Sequence, residues 1–312
     1  MVQHSVFVGI DVSKTHLDIH LHPSGQHWRC GTGSGELDAL AIRLAGLEPR
    51  AVGLEASGGY EARLADRLHA AGLDVHILPP GRIRGFARSI GQFAKTDRID
   101  AGVIARYLQA MCDDLAPYQP DPIRQRLHAL TAHRRRILAE RGGLAGQLDT
   151  VQEPLVRSLI EERLAGIVQE IKRLETAIAR LVAEDRSVQQ RQARLRQVPG
   201  VGPVLAITLL ADMPELGRVS AKVAAALVGV APYARQSGSS DRHGRCAGGR
   251  KHLRDIAYMA VLSAIKVNDP VLGGFYQRLR ARGKPFKLAM SATVRKLITI
   301  LNAIAKSDKA FA

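Results

Sequence analysis

The first apolar run of the chain is Ser5-Val6-Phe7-Val8-Gly9-Ile10, which is rich in Val and Ile and therefore predicts a buried strand. From Leu17 to His22, apolar residues then alternate with Asp and His. A period of two is typical of a half-buried strand. Two strands in direct succession predict the opening meander of a sheet.

Outward from these strands, strand and helix patterns alternate. The predicted elements are a weak strand at 28–31, a helix at 36–47 capped by Ser34, a strand at 51–54, a helix at 60–71 ended by Gly72, a strand at 74–78 ended by Pro79-Pro80, and a further helix. A meander that continues as strand–helix units predicts an RNase-H-like mixed sheet.

Pro117, Pro120 and Pro122 predict a boundary, after which helical patterns dominate. The first helical stretch is predicted to break near Gly142-Gly143 and at Pro154. Its second half has apolar residues spaced alternately by four and three, a heptad seam that needs a helical partner. The seam consists of Ile160, Leu164, Ile167, Ile171, Leu174, Ile178 and Leu181. The partner is either the preceding helix folded back or another subunit.

The last part of the chain is predicted to be helical, with helices at about 220–230, 250–267 and 285–305. A basic Gly/Ser-rich loop, Tyr233 to Gly249, is predicted between the first two. The predicted fold class is therefore α/β followed by all-α. Three domains are expected: a mixed-sheet domain at 1–120, a helical coiled-coil connector at 121–195, and a basic helical domain at 196–312.

Composition excludes several classes of protein. With 312 residues, 46% of them hydrophobic, the chain can bury a sizeable core and is not wholly disordered. Its apolar runs are interrupted, so no membrane span of about 18 apolar residues is expected. Cys30, Cys112 and Cys246 are odd in number and far apart, which argues against a disulfide framework or a zinc knuckle. A cytoplasmic, nucleoid-associated protein is expected.

Charge is distributed unevenly along the chain. Residues 1–120 contain 12 Lys/Arg and 13 Asp/Glu, whereas residues 121–312 contain 33 and 16. The net charge of +16 therefore comes from the second part. A basic domain of this kind most often binds a nucleic acid, because each neutralised phosphate releases counterions.

Four acids occur where predicted strands end or a helix begins. Asp11 and Glu55 each directly follow a buried strand, where ligand sites gather. Asp97 and Asp100 begin a predicted helix, and their i, i+3 spacing puts both on one face. Each alone is typical of a structural acid, but four clustered carboxylates need cations. They predict a site for Mg²⁺, which prefers oxygen ligands and in pairs can clamp a phosphodiester.

Two later segments have the pattern of phosphate contacts. Val198-Pro199-Gly200-Val201-Gly202-Pro203 predicts a turn whose backbone N–H groups at Gly200 and Gly202 bind a phosphate, as in helix-hairpin-helix DNA binders. The basic loop and the helix start after it are also predicted to bind nucleic acid, through Arg235, Arg242, Arg245, Arg250, Lys251 and Arg254. A serine of the loop, Ser237, Ser239 or Ser240, could attack a phosphodiester while arginines stabilise the charge. The residues by themselves favour simple backbone binding.

Together these residues resemble the transposases of insertion sequence family one-ten, which are bridge-RNA-guided recombinases with an N-terminal DEDD, RuvC-like domain and a C-terminal transposase domain bearing a recombination serine. The resemblance covers nearly the whole chain in order. Its motifs are Gly9-Ile10-Asp11-Val12-Ser13-Lys14, Leu54-Glu55-Ala56-Ser57-Gly58-Gly59-Tyr60, Lys95-Thr96-Asp97 with Asp100-Ala101, the Pro-Gly-x-Gly turn, and Gln236-Ser237-Gly238 followed by His243-Gly244-Arg245 and Leu253-Arg254.

The resemblance implies a division of roles. Asp11, Glu55, Asp97 and Asp100 hold Mg²⁺, and Ser237 cuts DNA through a covalent phosphoserine link that conserves the bond energy. A structured non-coding guide RNA pairs with double-stranded donor and target DNA. The protein is a homo-oligomer, a dimer of dimers, whose composite sites take the acids from one subunit and the serine from another.

Two other functions are weighed. In a RuvC-like nuclease or junction resolvase, metal-activated water cuts the DNA and the serine loop only binds it. In a basic RNA- or DNA-binding scaffold, the acids have no function, so Asp11→Asn leaves all activity unchanged. A nuclease of the RuvC type would never form a covalent protein–DNA adduct, because water and not a side chain attacks the DNA.

Overall fold

The computed structural model describes residues 5–94, 96–237 and 240–307. The chain divides into two compact units, Met1–Pro120 and Asp121–Ala312. The separation of a connector at 121–195 from a last domain at 196–312 stays a prediction.

The first unit is a five-stranded mixed sheet with helices on both faces. In chain order its elements are β1 (Phe7–Val12), β2 (His16–His22), β3 (His27–Gly31), α1 (Ser34–Ala45), β4 (Ala51–Glu55), α2 (Ala62–Ala70), β5 (Val75–Leu78), α3 (Pro80–Ser89) and α4 (Asp97–Met111). The sheet order is β3-β2-β1-β4-β5. The first three strands are antiparallel, and β4 and β5 run parallel to β1. This arrangement is consistent with the expected RNase-H-like fold.

The cap of α1 differs from the prediction. Gly33 is the N-cap, and Ser34 is the first helical residue. The Glu36 carboxylate accepts hydrogen bonds from the backbone N–H groups of Gly31 and Gly33, at 3.2 and 3.0 Å. The Ser34 hydroxyl instead accepts a hydrogen bond from Arg67. The side-chain contact at this helix start is therefore made by Glu36, the third helical residue, which binds the N–H group of the N-cap, and not by a serine hydroxyl that binds the first turn.

The two faces of the sheet are packed differently. On one face Val8 and Ile10 contact the apolar sides of α1 and α2 in the main core of the unit. On the other face α4 lies directly on Gly9, where a Cβ atom would overlap the backbone of Ala101 and Ala105. Because Gly9 has no side chain, α4 approaches β1 closely, and this fixes where α4 begins.

The second unit is mainly helical. Its elements are α5 (Pro122–Leu148), α6 (Pro154–Glu184), α7 (Arg186–Leu195), α8 (Pro203–Asp212), α9 (Ala221–Val228), β6 (Pro232–Ser237), β7 (Ser240–Cys246), α10 (Lys251–Lys266), α11 (Leu272–Ala281) and α12 (Phe286–Lys306). Its core consists of apolar residues from α8 to α12 together with the turn before α8.

The partner of the heptad seam is the preceding helix. Ile137 of α5 packs on Ile167 and Ile171, and Leu127 packs with Ile178 and Leu181, so α5 and α6 form an antiparallel pair. The predicted break at Gly142-Gly143 is wrong, because α5 continues to Leu148. A helical glycine costs only about 1 kcal/mol, which packing on α6 offsets. Pro154 does begin a new helix, as expected.

The segment predicted as the loop Tyr233 to Gly249 is a β-hairpin through most of its length. Strands β6 and β7 are antiparallel, with Pro232 opposite Cys246 and Ser237 opposite Ser240. Residues rich in Arg, Ser and Gly have low strand propensity, and only pairing of one strand with the other makes this backbone extended. Helix α11 was also missed by the sequence prediction.

One helix bears on the expectation that no segment spans a membrane. Helix α12 is long and apolar enough to cross a membrane by length and composition alone. Half of its apolar window is buried within the unit, and Met290, Val294 and Leu297 lie in the core. It has the burial of a core helix.

All three cysteines are free, as the sequence predicted.

Candidate active site

Three strands bring carboxylates to one face of the sheet. Asp11 on β1 lies opposite Asp18 on β2. Ile10 pairs with Leu54 in the parallel register, so Asp11 and Glu55 follow at equivalent positions. Side chains alternate between faces along a strand, which places Asp11 on the face of Gly9, the face that α4 covers.

Helix α4 adds two acids to this face from its first turn. The helix begins at Asp97, and Thr96 is its N-cap, with the hydroxyl accepting a hydrogen bond from the Ile99 N–H at 3.3 Å. Asp97 and Asp100 are therefore not needed as caps. The partial positive charge at a helix N-terminus favours acids there.

The electrostatics of Asp11 show that the predicted acids are close together. Burial and, in decreasing order, the negative charges of Asp100, Glu55, Asp97 and Asp18 together raise the pKa of Asp11 to about 6. The structure thus brings together all four acids that the sequence singled out. Their role as metal ligands stays a prediction.

Asp18 is a fifth carboxylate that the sequence analysis missed. Its side chain is almost fully buried and accepts three hydrogen bonds from Arg29, the closest at 2.8 Å, and one from His27 at 3.0 Å. Its position was visible in the sequence, since His16, Asp18 and His20 alternate on one face of β2. The buried charge of Asp18 is paired, as buried charges require.

Asp97 is also bound to Arg29 and to His16. Arg29 Nη2 lies 3.3 Å from an Asp97 carboxylate oxygen, and His16 Nε2 lies 3.2 Å from the same oxygen. His16, Asp18 and Asp97 have ligand atoms within 4.8 Å of one another, a grouping that could hold a metal ion. Because Arg29 contacts both acids, it already supplies positive charge at this side of the cluster.

The remaining acids fit a divalent cation. Asp11, Glu55 and Asp100 offer only oxygen donors, and the raised pKa of Asp11 shows that they repel one another. Hard divalent ions such as Mg²⁺ prefer carboxylate oxygens. The donor set and its crowding therefore suit a divalent metal.

The Pro-Gly-x-Gly turn lies between α7 and α8, where it was predicted. Gly200 has a φ of 84°, and a Cβ atom there would overlap the Ala260 carbonyl oxygen of α10. Packing thus requires this glycine whether or not it binds phosphate. Gly202 is exposed and is the N-cap of α8, with no atom near its Cβ position. Phosphate binding by both residues stays a prediction.

The cations predicted to bind nucleic acid make internal contacts where the structure describes them. Arg250 forms a two-point ion pair with Glu215, at 3.0 and 2.7 Å. Arg254 donates hydrogen bonds to the carbonyl oxygens of Gly229 and Gly248. Lys251 pairs with Asp255 on the surface. Ser237 is the last residue of β6. The side chains of Ser237, Ser240, Arg235, Arg242 and Arg245 and the whole of Ser239 lie outside the described part of the chain.

A second charged cluster was missed by the sequence analysis. Asp212, at the end of α8, is nearly buried and accepts hydrogen bonds from His128 at 2.6 Å and His252 at 2.7 Å, with Arg135 at 3.3 Å. Burial alone would raise the pKa of Asp212, but the two histidine hydrogen bonds outweigh it and hold the pKa well below its usual range. No local sequence pattern signals this cluster, because its members come from three helices.

Comparison with known proteins gives two family matches. Residues 192–277 match the model described as "Transposase IS116/IS110/IS902 family". Residues 8–152 match the DEDD transposase model of the IS110 type. The pilin gene-inverting proteins of Moraxella lacunata and Moraxella bovis are each 29% identical to this chain over 273 residues, which cover 83% of this chain and 80% of each relative. The acid face, which consists of Asp11, Asp18, Glu55, Asp97 and Asp100, lies within the DEDD match. Both strands of the hairpin lie within the other match.

Proposed function

Because the chain belongs to the IS116/IS110/IS902 transposase family and is an enzyme that acts on DNA, we propose that it is an RNA-guided DNA recombinase with a serine nucleophile. Asp11, Glu55, Asp97 and Asp100 would hold Mg²⁺, and Ser237 would be the nucleophile. The observation that carries the metal assignment is the convergence of four acids on Asp11. The serine assignment rests on the Gln236-Ser237-Gly238 motif.

The chemistry is two successive transesterifications. The Ser237 oxygen forms an ester with the scissile phosphorus, while a sugar oxygen of the DNA leaves with the electrons of the broken P–O bond and takes up the proton that the serine hydroxyl gives up. A hydroxyl of another DNA end then attacks the phosphoserine and releases the serine. A divalent ion supplies positive charge to the phosphate oxygens when it is bound. No bond energy is lost, so the strand can be rejoined without a nucleotide cofactor.

Arg29 has a positioning role in this proposal. It binds Asp18 and Asp97 together, so its single positive charge is shared by two of the four carboxylates around Asp11. Asp11, Glu55 and Asp100 are then the ligands that need a metal most. Arg29 and His16 both contact Oδ2 of Asp97, so Oδ1 is the atom through which Asp97 would bind the metal.

The guide RNA and the oligomer have weaker support. The basic charge of residues 121–312 suits a polyanion such as structured RNA. The heptad seam no longer argues for a second subunit, because α5 covers it. A dimer of dimers is therefore proposed from the family resemblance alone.

A covalent-trapping experiment tests the nucleophile. The protein, its guide RNA, labelled target DNA and Mg²⁺ are mixed, denatured and run on a gel that separates free DNA from protein-linked DNA. We expect the adduct with the unaltered protein and none with Ser237→Ala. Ser239→Ala and Ser240→Ala are the matched controls and keep the adduct.

The same experiment separates the proposal from a nuclease. The acid face lies entirely within one unit, which is what a water-using RuvC-like nuclease needs. In that case DNA is cut by the unaltered protein with no adduct at any time. An adduct that persists in Ser237→Ala but disappears in Ser240→Ala would move the nucleophile to Ser240.

A further inference from the structure

The first unit has one segment whose charge is opposite to that of its surroundings. Residues 80–98 contain five Lys/Arg and a single acid, Asp97, whereas the rest of residues 1–120 contain seven Lys/Arg and twelve acids. The net charge of the whole unit is close to zero because the positive charge of this segment is cancelled by the acids elsewhere in the unit. A cluster of cations beside an acidic site indicates a ligand with negative charge.

Three arginines of this segment have no internal partner. Arg82, Arg84 and Arg88 are exposed residues of α3, and within the described ranges 5–94, 96–237 and 240–307 none of their side chains has a hydrogen bond or an ion pair. Other arginines of the unit, such as Arg50 and Arg67, bind carboxylates. Arg84 and Arg88 are four residues apart on one helix, where like charges repel. This repulsion destabilises α3 unless something outside the unit neutralises it.

An exposed aromatic ring accompanies these cations. The Phe93 side chain, between α3 and α4, is 81% exposed. The opposite side of α3 is packed, with Ile83 buried and Phe86 in edge contact with Tyr107 of α4 at 5.5 Å between ring centres. The helix is therefore held in place by its apolar side, and its arginines face solvent.

The segment lies beside the acid face. Leu78, the last residue of β5, pairs with Glu55, and α3 begins two residues later at Pro80. The chain returns to the same edge at Asp97, where exposed Arg98 is the next residue. The positive segment thus leaves and rejoins the protein at the edge that holds the acids.

We infer that α3, Phe93 and Arg98 bind an unpaired strand of the DNA substrate next to the acid face. Arg82, Arg84, Arg88 and Arg98 contact phosphates, and the Phe93 ring stacks on a base. Cations along a backbone path with an exposed aromatic ring are the usual elements of single-strand binding. A paired duplex would leave no base face free for Phe93. This inference rests on the proposed function, since it assumes that DNA is the substrate of the acid face.

Binding of a labelled single-stranded DNA by the full-length protein, without divalent ions, tests the arginines. Each phosphate contact on a single strand contributes about 0.7 to the slope of log K against log[salt]. The double variant Arg84→Gln and Arg88→Gln should therefore reduce that slope by about 1.4. Arg106→Gln removes an exposed charge farther along α4 and is the matched control, with an unchanged slope. An unchanged slope in the double variant overturns the inference.

Photo-crosslinking tests the aromatic contact and the type of strand. Single-stranded DNA containing 5-iododeoxyuridine should crosslink to the peptide that contains Phe93. Phe93→Ala should weaken binding roughly 5- to 100-fold, whereas Phe93→Trp keeps it. Crosslinks confined to residues 121–312, or stronger crosslinking of the Phe93 peptide to single-stranded RNA of the same sequence, overturn it.

The two proposals fail in different ways. If the serine adduct forms normally but the variants of α3 and Phe93 bind DNA unchanged, only this inference is wrong. If those variants lose strand binding but no adduct ever forms in the unaltered protein, only the serine mechanism is wrong.

Discussion

Asp11 is the residue at which the acid face is most strained electrostatically. It is partly buried and is surrounded by four other carboxylates, which together raise its pKa to about 6. A raised pKa in the folded protein means that the charged form is less stable there than in the unfolded chain. The free energy of unfolding in the absence of metal should therefore fall as the pH rises from about 4 through 6.

Asp11→Asn removes this repulsion. In EDTA at pH 7.5 we expect the variant to be more stable than the unaltered protein by about 1 kcal/mol, a value kept small because Asp11 is partly solvated. At pH 4 the difference should be much smaller, since Asp11 is then protonated in the folded protein and about half protonated in the unfolded chain. Chemical denaturation at the two pH values measures this. Asp114→Asn, at an exposed site, is the control; a variant less stable than the parent at pH 7.5 contradicts the prediction.

A bound divalent ion should offset the electrostatic repulsion among the clustered carboxylates and so stabilise the fold. An ion at tenfold excess over its dissociation constant stabilises the fold by about 1.4 kcal/mol. We expect MgCl₂ to raise the melting temperature of the unaltered protein but not of Glu55→Gln or Asp100→Asn. Asp38→Asn, whose carboxylate pairs with Arg67 on the surface, keeps the response. An equal rise in all four proteins would show that Mg²⁺ binds elsewhere.

At the scale of elements, the contact of α4 with β1 depends on Gly9. Gly9→Ala places a methyl group into the backbone of Ala101 and Ala105, and overpacking of this kind costs typically 1–3 kcal/mol. Thermal or chemical denaturation should show a loss of about 2 kcal/mol. Gly142→Ala is the opposite case, because it has open space around it in a helix and should gain up to about 1 kcal/mol. Equal effects at the two positions would contradict the packing of α4.

Asp212 connects three helices of the second unit. It binds His128 on α5, lies on α8, and binds His252 on α10. The pKa of this buried carboxylate is held below its ordinary value. Its contribution to stability is therefore present above about pH 4 and is lost as the pH falls below that value.

Asp212→Asn should consequently destabilise the protein by about 2 kcal/mol at pH 7, because the amide cannot accept from both histidines and Arg135 as a carboxylate does. Asp255→Asn, which breaks only an exposed pair with Lys251, should cost less than 0.5 kcal/mol. Urea denaturation at pH 7 and pH 3 measures both, and the Asp212 effect should shrink at pH 3. A loss that is equal at both pH values is inconsistent with the charged carboxylate as its origin.

At the scale of the whole molecule, the uneven charge predicts the salt dependence of DNA binding. Residues 121–312 have 33 Lys/Arg against 16 Asp/Glu. A protein that makes six phosphate contacts on duplex DNA loses roughly 10³-fold in affinity between 50 and 200 mM salt. Fluorescence anisotropy with duplex DNA should show such a steep loss, and a flat response would contradict binding through the basic part of the chain.

Residue patterns that repeat over a few positions were sufficient to predict most of the strands and long helices. The period-two strands and the heptad seam each depend on residues close together in the sequence, so the mixed sheet and the long helices could be predicted. Asp11 and Glu55 were found for the same reason, since each follows an apolar strand, and Asp97 and Asp100 because they begin a helix. The break predicted at Gly142-Gly143 was wrong, because two glycines remain compatible with a helix when that helix packs on α6.

Contacts between charged side chains far apart in the sequence became visible only in the tertiary structure. Arg29 and Asp97 are 68 residues apart in the chain, and Asp212 is 84 from His128, so no local pattern signals either contact. The hairpin of β6 and β7 likewise exists through pairing rather than propensity. Side-chain periodicity reflects which face of an element is buried, whereas the partners of a charge depend on how the elements are arranged around it.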